Sequence, residues 1–335
     1  MYLDYFGLKK EPFNLTLDPE FLYLGESHKE ALARLQFGLE TQKGLMVLTG
    51  EVGSGKTALI QSLISNKSPQ QNFALIVNPK IVGDRILQNI SREFGIELDF
   101  KEMSKSDIFN LLYEFILKKS FHEQSFAVII DDAHDLNREQ MDDILFLSKF
   151  ETNTKKLLQI ILVGLPALSD VLNTPQNLSL KQRILIQYKL KPFTYADTQN
   201  YILHRMSVAG SERRDVFKAE AIQRIFQLSR GIPRIISVIA SNALLYAFLK
   251  GEKRINYNIV NLSTDETLQN MVDSAEESPE PQIRRKYPPR IKGRNYKPIR
   301  KRRWRYWILI IFILVVGFLG LNILAQYLIK TLHIF

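Results

Sequence analysis

The stretch GEVGSGKT, residues 50–57, constrains this chain more than any other, because it stands between an apolar run and a helical pattern. Upstream, GLMVLTG (44–50) is continuously apolar, as a buried strand is; downstream, residues 56–65 carry apolar side chains at helical spacing. Glycines at 50, 53 and 55 let the backbone curl so that successive N–H groups point at phosphate oxygens. The helix start beyond adds its partial positive charge. In that setting Gly50, Glu51, Val52, Gly53, Ser54 and Gly55, with Ala58 in the first helical turn, form a cradle for the phosphates of ATP. Lys56 reaches the β- and γ-phosphates, and the Thr57 hydroxyl ligates Mg²⁺.

A phosphate cradle of this type needs a carboxylate on a neighbouring strand to hold the Mg²⁺ through water. FAVIIDD (126–132) supplies it: Asp131 stands at the tip of an apolar run, where a bare buried carboxylate would be prohibitive. Asp132 has two readings. Either it points towards the γ-phosphate and polarises the attacking water, or it caps the following loop.

The surrounding pattern is that of an α/β fold. FALIVN (73–78), FAVIID (126–131) and LLQIILVG (157–164) join 44–50 as four expected strands, alternating with helices at about 56–65, 83–94, 105–118 and 137–149. Such alternation implies a parallel sheet sandwiched by helices. From Pro192 to Asn261 only helical patterns remain, each ending at a glycine. The expected organisation is therefore a nucleotide-binding α/β domain (1–191), a small all-α lid (192–262), a polar then polybasic linker (263–305), a transmembrane helix (306–329) and a short extracytoplasmic tail (330–335).

Charge supports that division. Residues 284–305 hold twelve Lys/Arg and no acid; without these and Lys330, the remaining 32 bases are outnumbered by 35 acids. The rest of the chain, taken together, is mildly acidic, which argues against nucleic acid as a partner. The basic run suits anionic lipid instead, and it abuts WILIIFILVVGFLGLNILAQYLI (307–329), long enough as a helix to cross about 30 Å of hydrocarbon. The opening residues lack a signal peptide's apolar core, so the positive-inside rule places the nucleotide-binding part in the cytoplasm. With no cysteine, thiolate metal sites, disulfides and cysteine nucleophiles are excluded, and five scattered histidines show no metal spacing.

Taken in order, several blocks resemble the AAA+ ATPases of the general secretion pathway protein A (ExeA) type, within the P-loop NTPases. They are MYLDYFGLKKEPFNLTLDPEFLY (1–23), SHKEALARL (27–35), GEVGSGKT, LLQIILVG, QRI (182–184), YILHRMSVAG (201–210) and SRGIPRII (229–236), spanning residues 1 to about 262. The resemblance implies that Arg234 contacts the nucleotide phosphates from the lid. It makes Arg183 an arginine finger reaching a neighbouring subunit's ATP in a ring, or else a partner of a surface acid. His28, at a helix start, borders the adenine on one reading and is solvated surface on the other. Three residues depart from the family's pattern. Asp132 stands where a glutamate is usual, with a reach shorter by roughly 1.5 Å, and His134 and Leu165 each stand where a glutamine is usual.

The resemblance further implies a membrane-anchored ATPase, single-pass in the bacterial inner membrane. It would hydrolyse Mg-ATP slowly to drive or regulate assembly of a type II secretion, type IV-like pilus or exopolysaccharide/exosortase system. An inner-membrane or periplasmic assembly partner follows from that role. A scaffold with little turnover and a transposition-helper type of DNA-associated ATPase are the alternatives. Family members carry a peptidoglycan-binding domain past the membrane; the sequence ends at Phe335, so cell-wall binding is not expected.

Overall fold

The computed structural model describes residues 1–16, 18–97, 100 and 103–264. The transmembrane segment 306–329, the tail and all but the first residues of the linker lie outside them. Among the described residues no helix is long and apolar enough to cross a membrane.

Five parallel strands form one sheet: β1 (Leu45–Thr49), β2 (Gln71–Ile76), β3 (Ser125–Ile130), β4 (Leu158–Gly164) and β5 (Ile184–Lys189), in the order β2-β3-β4-β1-β5. The strand that ends at Asp131 is thus next but one to the phosphate-loop strand, with β4 between them. Four strands are those expected from their apolar runs, although β2 starts at Gln71 rather than at residue 73. The fifth was not anticipated. As an edge strand, β5 alternates half-buried with exposed residues, and its polar Gln187 and Lys189 break the apolar run. It also carries a bulge: Leu45 pairs with Ile184 but Met46 with Ile186, which leaves Leu185 unopposed and exposed.

Continuous apolar strands are what a sheet covered on both faces requires. Alternate residues of β1 divide between two cores. Leu45 and Val47 join Val128, Ile130, Ile160 and Leu162 on one face, while Met46 and Leu48 join Ile129, Ile161 and Val163 on the other. The first face is covered by α3 (Ile86–Glu93), α4 (Lys105–Ser120) and α5 (Arg138–Leu147), the second by α1 (Glu26–Glu40) and α2 (Lys56–Ser65). α2 has the bounds expected from its periodicity, since a glycine-rich loop fixes its start. The expected helix at 83–94 is instead a 3-10 turn, Gly83–Arg85, followed by α3.

Four helices follow: α6 (Tyr195–Val208), α7 (Ala219–Ser229), α8 (Pro233–Leu249) and α9 (Tyr257–Ser263). Gly210, Gly231 and Gly251 after the first three all adopt positive φ, as chain reversal beyond a helix end demands. Their shared core holds Ile202, Ile225, Ile236 and Leu244, together with Phe6, Leu8, Phe13 and Phe21 from the start of the chain. The sequence boundary at 191/192 assigns those four aromatic and aliphatic residues to the α/β domain. Their side chains pack in the helical bundle instead. The N-terminal segment therefore runs from the bundle to α1, along the mouth of the phosphate loop.

Candidate active site

The site begins where β1 ends. The N–H of Gly50 donates to Gly164 O at 3.2 Å, holding the loop's root to the end of β4, and the N–H of Ser54 donates to Glu51 O at 3.2 Å. Gly53 and Gly55 then turn through φ values of +74° and +95°, which side-chain-bearing residues rarely adopt, and α2 starts at Lys56. Lys56 is buried, its Nζ donating to Gly50 O at 2.8 Å and Glu51 O at 3.0 Å. Burial pushes this ammonium below its ordinary pKa, while the carboxylates of Asp131, Asp132 and Glu51 act in the opposite direction. Both adjacent aspartates are therefore within electrostatic reach of the lysine.

Asp131 is only 5% exposed and is held on three sides. Its N–H donates to Ile76 O at 2.8 Å, its Oδ2 accepts from Thr57 Oγ1 at 2.8 Å, and its Oδ1 accepts from the N–H of Asp132 at 3.0 Å. The sequence-expected pair for the metal is thus in contact, although one member comes from α2 and the other from β3. Hydroxyl and carboxylate are hard oxygen donors, the chemistry Mg²⁺ selects. Among the described residues no group of three or more His, Asp or Glu could hold a metal ion. An Mg²⁺ held by this pair would be completed by phosphates and water.

Asp132 adopts φ 51°, ψ 37°, a left-handed conformation that aspartate tolerates better than most residues, and opens the 3-10 turn Ala133–Asp135. Its side chain makes no capping hydrogen bond, so the loop-cap reading is not realised. Behind it, Asp135 pairs with Lys80 at 2.7 Å, and Gln140 Nε2 donates to Pro79 O and Gly83 O at 2.9 Å each. His134 packs against the end of β4: a Cβ on Gly164 would come within 3.2 Å of its backbone nitrogen. Leu165, half-buried, follows β4 directly and offers no polar atom there.

A cavity of about 450 Å³ opens beside the loop, a size that admits a nucleotide. It is lined by the phosphate loop with Lys56 and Thr57, by the bundle with Arg234 and Arg205, by the segment from Asn14 to Leu24 with His28 just beyond it, and by Phe193. Arg234, at the start of α8, is brought onto the loop, its N–H donating to Gly53 O at 3.3 Å. The two segments approach so closely that a Cβ on Gly53 would lie 2.7 Å from that of Arg234.

Arg183 is not brought there. It immediately precedes β5, whose first residue pairs with Leu45, whereas the phosphate loop leaves the sheet beyond Thr49, opposite Lys189. Five residues of strand separate those ends, about 16 Å. Arg183 lies near Glu151, whose carboxyl is held below its ordinary pKa chiefly by its hydrogen bond to Lys156, with Arg183 a lesser contributor.

Two further side chains line the cavity wall, Arg205, which sequence reasoning missed, and His28, for which it left two readings open. Arg205, buried on α6, donates from Nε to Pro12 O at 2.6 Å and from Nη2 to Asn14 O at 2.8 Å, and so clamps the N-terminal segment to the bundle. His28 is 3% exposed and hydrogen-bonded to the phosphate loop, which removes the solvated-surface reading. Nothing in the local sequence of either marks it as buried.

Comparison with known proteins agrees with this geometry. Residues 39–172 match the family described as AAA domain. Over 266 residues the chain is 35% identical to general secretion pathway protein A of Aeromonas hydrophila, covering 79% of this chain. It spans about half, 48%, of that relative's length. Among solved structures it resembles Cdc6p from Pyrobaculum aerophilum, with TM-score 0.58 and 20% identity over 74% of this chain and 70% of the other. It also resembles Drosophila ORC bound to DNA, with TM-score 0.56 and 18% identity over 80% and 66% of the two chains. The Aeropyrum pernix ORC2 protein in its ADPNP-ADP complexes gives 0.53 and 16% over 76% and 71%. At such identities these likenesses establish the fold alone.

Proposed function

We propose that this chain, similar to general secretion pathway protein A over 79% of its length, is an AAA+ P-loop ATPase that binds Mg-ATP in the cavity beside residues 50–57 and hydrolyses it slowly. The energy so released would drive or regulate assembly of a bacterial envelope machine. The observation that carries the reading is convergence. Lys56 and Thr57 from α2, Asp131 from the end of β3 and Arg234 from α8 meet around one phosphate loop, though they are dispersed over 179 sequence positions.

Each residue then has a task. The N–H groups of 53–57 and the Lys56 ammonium bind the phosphates, and Thr57 with Asp131 would hold Mg²⁺, which supplies charge neutralisation for the phosphates when bound. Arg234 senses the γ-phosphate from the bundle, since a guanidinium stays charged and forks onto phosphate oxygens. Asp132 polarises water. Arg183, far from its own loop, serves a neighbouring copy in a ring. Slow turnover follows from the short reach of Asp132 and the missing hydrogen bond at Leu165. The same two residues favour the second reading, a nucleotide-dependent scaffold with little turnover.

Anchoring through 306–329 in the inner membrane, with the ATPase part cytoplasmic and 284–305 on anionic lipid, belongs to the proposal. So does an assembly partner in or beyond that membrane. Nucleic acid is not expected, because the chain's positive excess is concentrated in 284–305 and residues 1–264 are close to neutral, with 32 bases against 29 acids; the DNA in the Drosophila structure is a property of that protein. The test is equilibrium binding of Mg-ATP to the purified chain. Lys56→Ala should abolish it, and unimpaired binding by that variant would sink the assignment. Turnover of Asp132→Glu beside wild type separates the readings: a large gain marks a slowed enzyme, none a scaffold.

A further inference from the structure

The imidazole of His28 takes no part in the chemistry above, yet it is among the most buried polar side chains and touches the phosphate loop. From the first turn of α1 its Nε2 lies 2.8 Å from the carbonyl oxygen of Ser54. A carbonyl only accepts, so Nε2 carries the proton. Gly55 passes directly beside the ring: a Cβ there would lie 2.8 Å from the same Nε2, so the imidazole fills the space a side chain would need. The other ring nitrogen, Nδ1, is buried with no hydrogen-bond partner among the described residues. A second proton there would meet no acceptor. The ring therefore acts as a neutral, single-donor group.

Its opposite side packs on Phe193, with ring centroids 5.0 Å apart. Phe193 is itself fixed to the turn that leads to Arg234, its N–H donating to Gly231 O at 2.8 Å. Gly231, at φ +78°, has no room for a side chain, since a Cβ would overlap the carbonyl oxygen of Phe193. Imidazole, Phe193 and the Gly231 turn thus make a continuous packed line from the phosphate loop to the start of α8.

A peptide unit is a rigid plane with its C=O and N–H pointing in opposite directions. Holding the oxygen of Ser54 against His28 therefore turns the N–H of Gly55 away from α1. We propose that His28 is a positioning residue for the phosphate loop. It locks the Ser54–Gly55 peptide with its N–H towards the nucleotide and, through Phe193, couples that loop to the segment bearing Arg234. The inference rests on the Mg-ATP reading and extends it to a residue that touches no phosphate.

The experiment is a titration of the purified full-length chain with mant-ATP and Mg²⁺, for wild type and three variants, each checked by thermal melting. In His28→Gln the amide Nε2 reaches the position of the imidazole Nε2. In His28→Asn the amide falls short by about one bond, and in His28→Leu there is no donor. His28→Gln should stay within about threefold of wild type, while His28→Asn and His28→Leu weaken binding roughly tenfold or more, the usual cost of orphaning a buried acceptor. If His28→Leu does not fold, the Gln/Asn pair decides, since both are polar. Wild-type affinity in His28→Asn, or equal weakening in His28→Gln, overturns the role of His28 alone. Failure of wild type itself to bind would overturn the Mg-ATP reading and this inference with it.

Discussion

Asp131→Asn probes the metal assignment most sharply, because the side chain keeps its shape and loses only its charge. In the folded chain Oδ2 accepts from Thr57 at 2.8 Å and Oδ1 from the N–H of Asp132 at 3.0 Å. An asparagine whose amide oxygen faces Asp132 keeps the second bond, and the Thr57 hydroxyl, which can also accept, keeps the first by rotating. Each bond passes from a charged acceptor, about 1.5–3 kcal/mol, to a neutral one, about 0.5–1.5 kcal/mol. Together they lose about 2 kcal/mol, offset in part by no longer burying a carboxylate. At about 2–4 °C per kcal/mol for a chain of this size, the melting temperature should fall by less than about 8 °C.

Nucleotide affinity should change in opposite senses with and without the metal. In EDTA, removing a negative charge beside the phosphate loop leaves ATP binding unchanged or tighter. With Mg²⁺, losing a carboxylate that orients the ion's shell should cost about 10–100-fold in metal affinity. The assay is a MgCl₂ titration of the chain pre-equilibrated with mant-ATP, read against an EDTA blank. A variant whose Mg²⁺ dependence matches wild type would refute the assignment of Thr57 and Asp131 to the metal, however stable the fold.

Arg183→Ala should leave ATP binding within twofold of wild type, since Arg183 is about a strand's length from its own loop, but lower turnover at least tenfold once copies assemble; undiminished turnover in the assembled state refutes a role in trans. His28 makes stability depend on acidity: burial depresses its pKa below 6.5, opposed by the Ser54 carbonyl and Asp197. The unfolded chain therefore takes up the proton first as pH falls. The stability is whole above about pH 6.5 and is lost as pH falls through the lower folded value. Chemical denaturation from pH 8 to 5 should show a steeper decline in wild type than in His28→Gln, and parallel curves would count against a buried neutral imidazole. Gly231→Ala combines a positive φ with a Cβ overlapping Phe193 O, so it should lower stability by about 2–4 kcal/mol, read as the denaturant midpoint.

The parts of the site legible in the sequence are those whose chemistry is local. GEVGSGKT announces itself because strand, glycine turn and helix are contiguous, and the apolar runs of β1, β3 and β4 are readable because both sheet faces are covered. β5 was hidden by the opposite circumstance: an edge strand buries one face, admits Gln187 and Lys189, and here carries a bulge at Leu185. The N-terminal aromatics show that something will be buried but not against what, because their partners lie some 200 residues away on α6 to α9. Arg205 was invisible, and the two readings of His28 undecided, for the same reason. Their burial is created by Pro12, Asn14, Ser54 and Phe193, which only tertiary structure brings together.

The two adjacent aspartates now separate on physical grounds rather than by order. Asp131 continues the strand, is fixed by three hydrogen bonds and can leave its position only by breaking the link to Thr57. Asp132 sits one residue later at positive φ, donates its N–H back to Asp131, and has a side chain with no capping bond. A left-handed backbone reverses the chain at that point, so the second carboxylate leaves the strand's line. The conformation also bears on residue choice: a residue other than glycine at positive φ is uncommon, and aspartate is several-fold enriched there. A glutamate there would trade reach for backbone strain. The shorter acid of this chain is thus consistent with its own local geometry, and the slow hydrolysis proposed above would follow from a backbone that favours aspartate over reach.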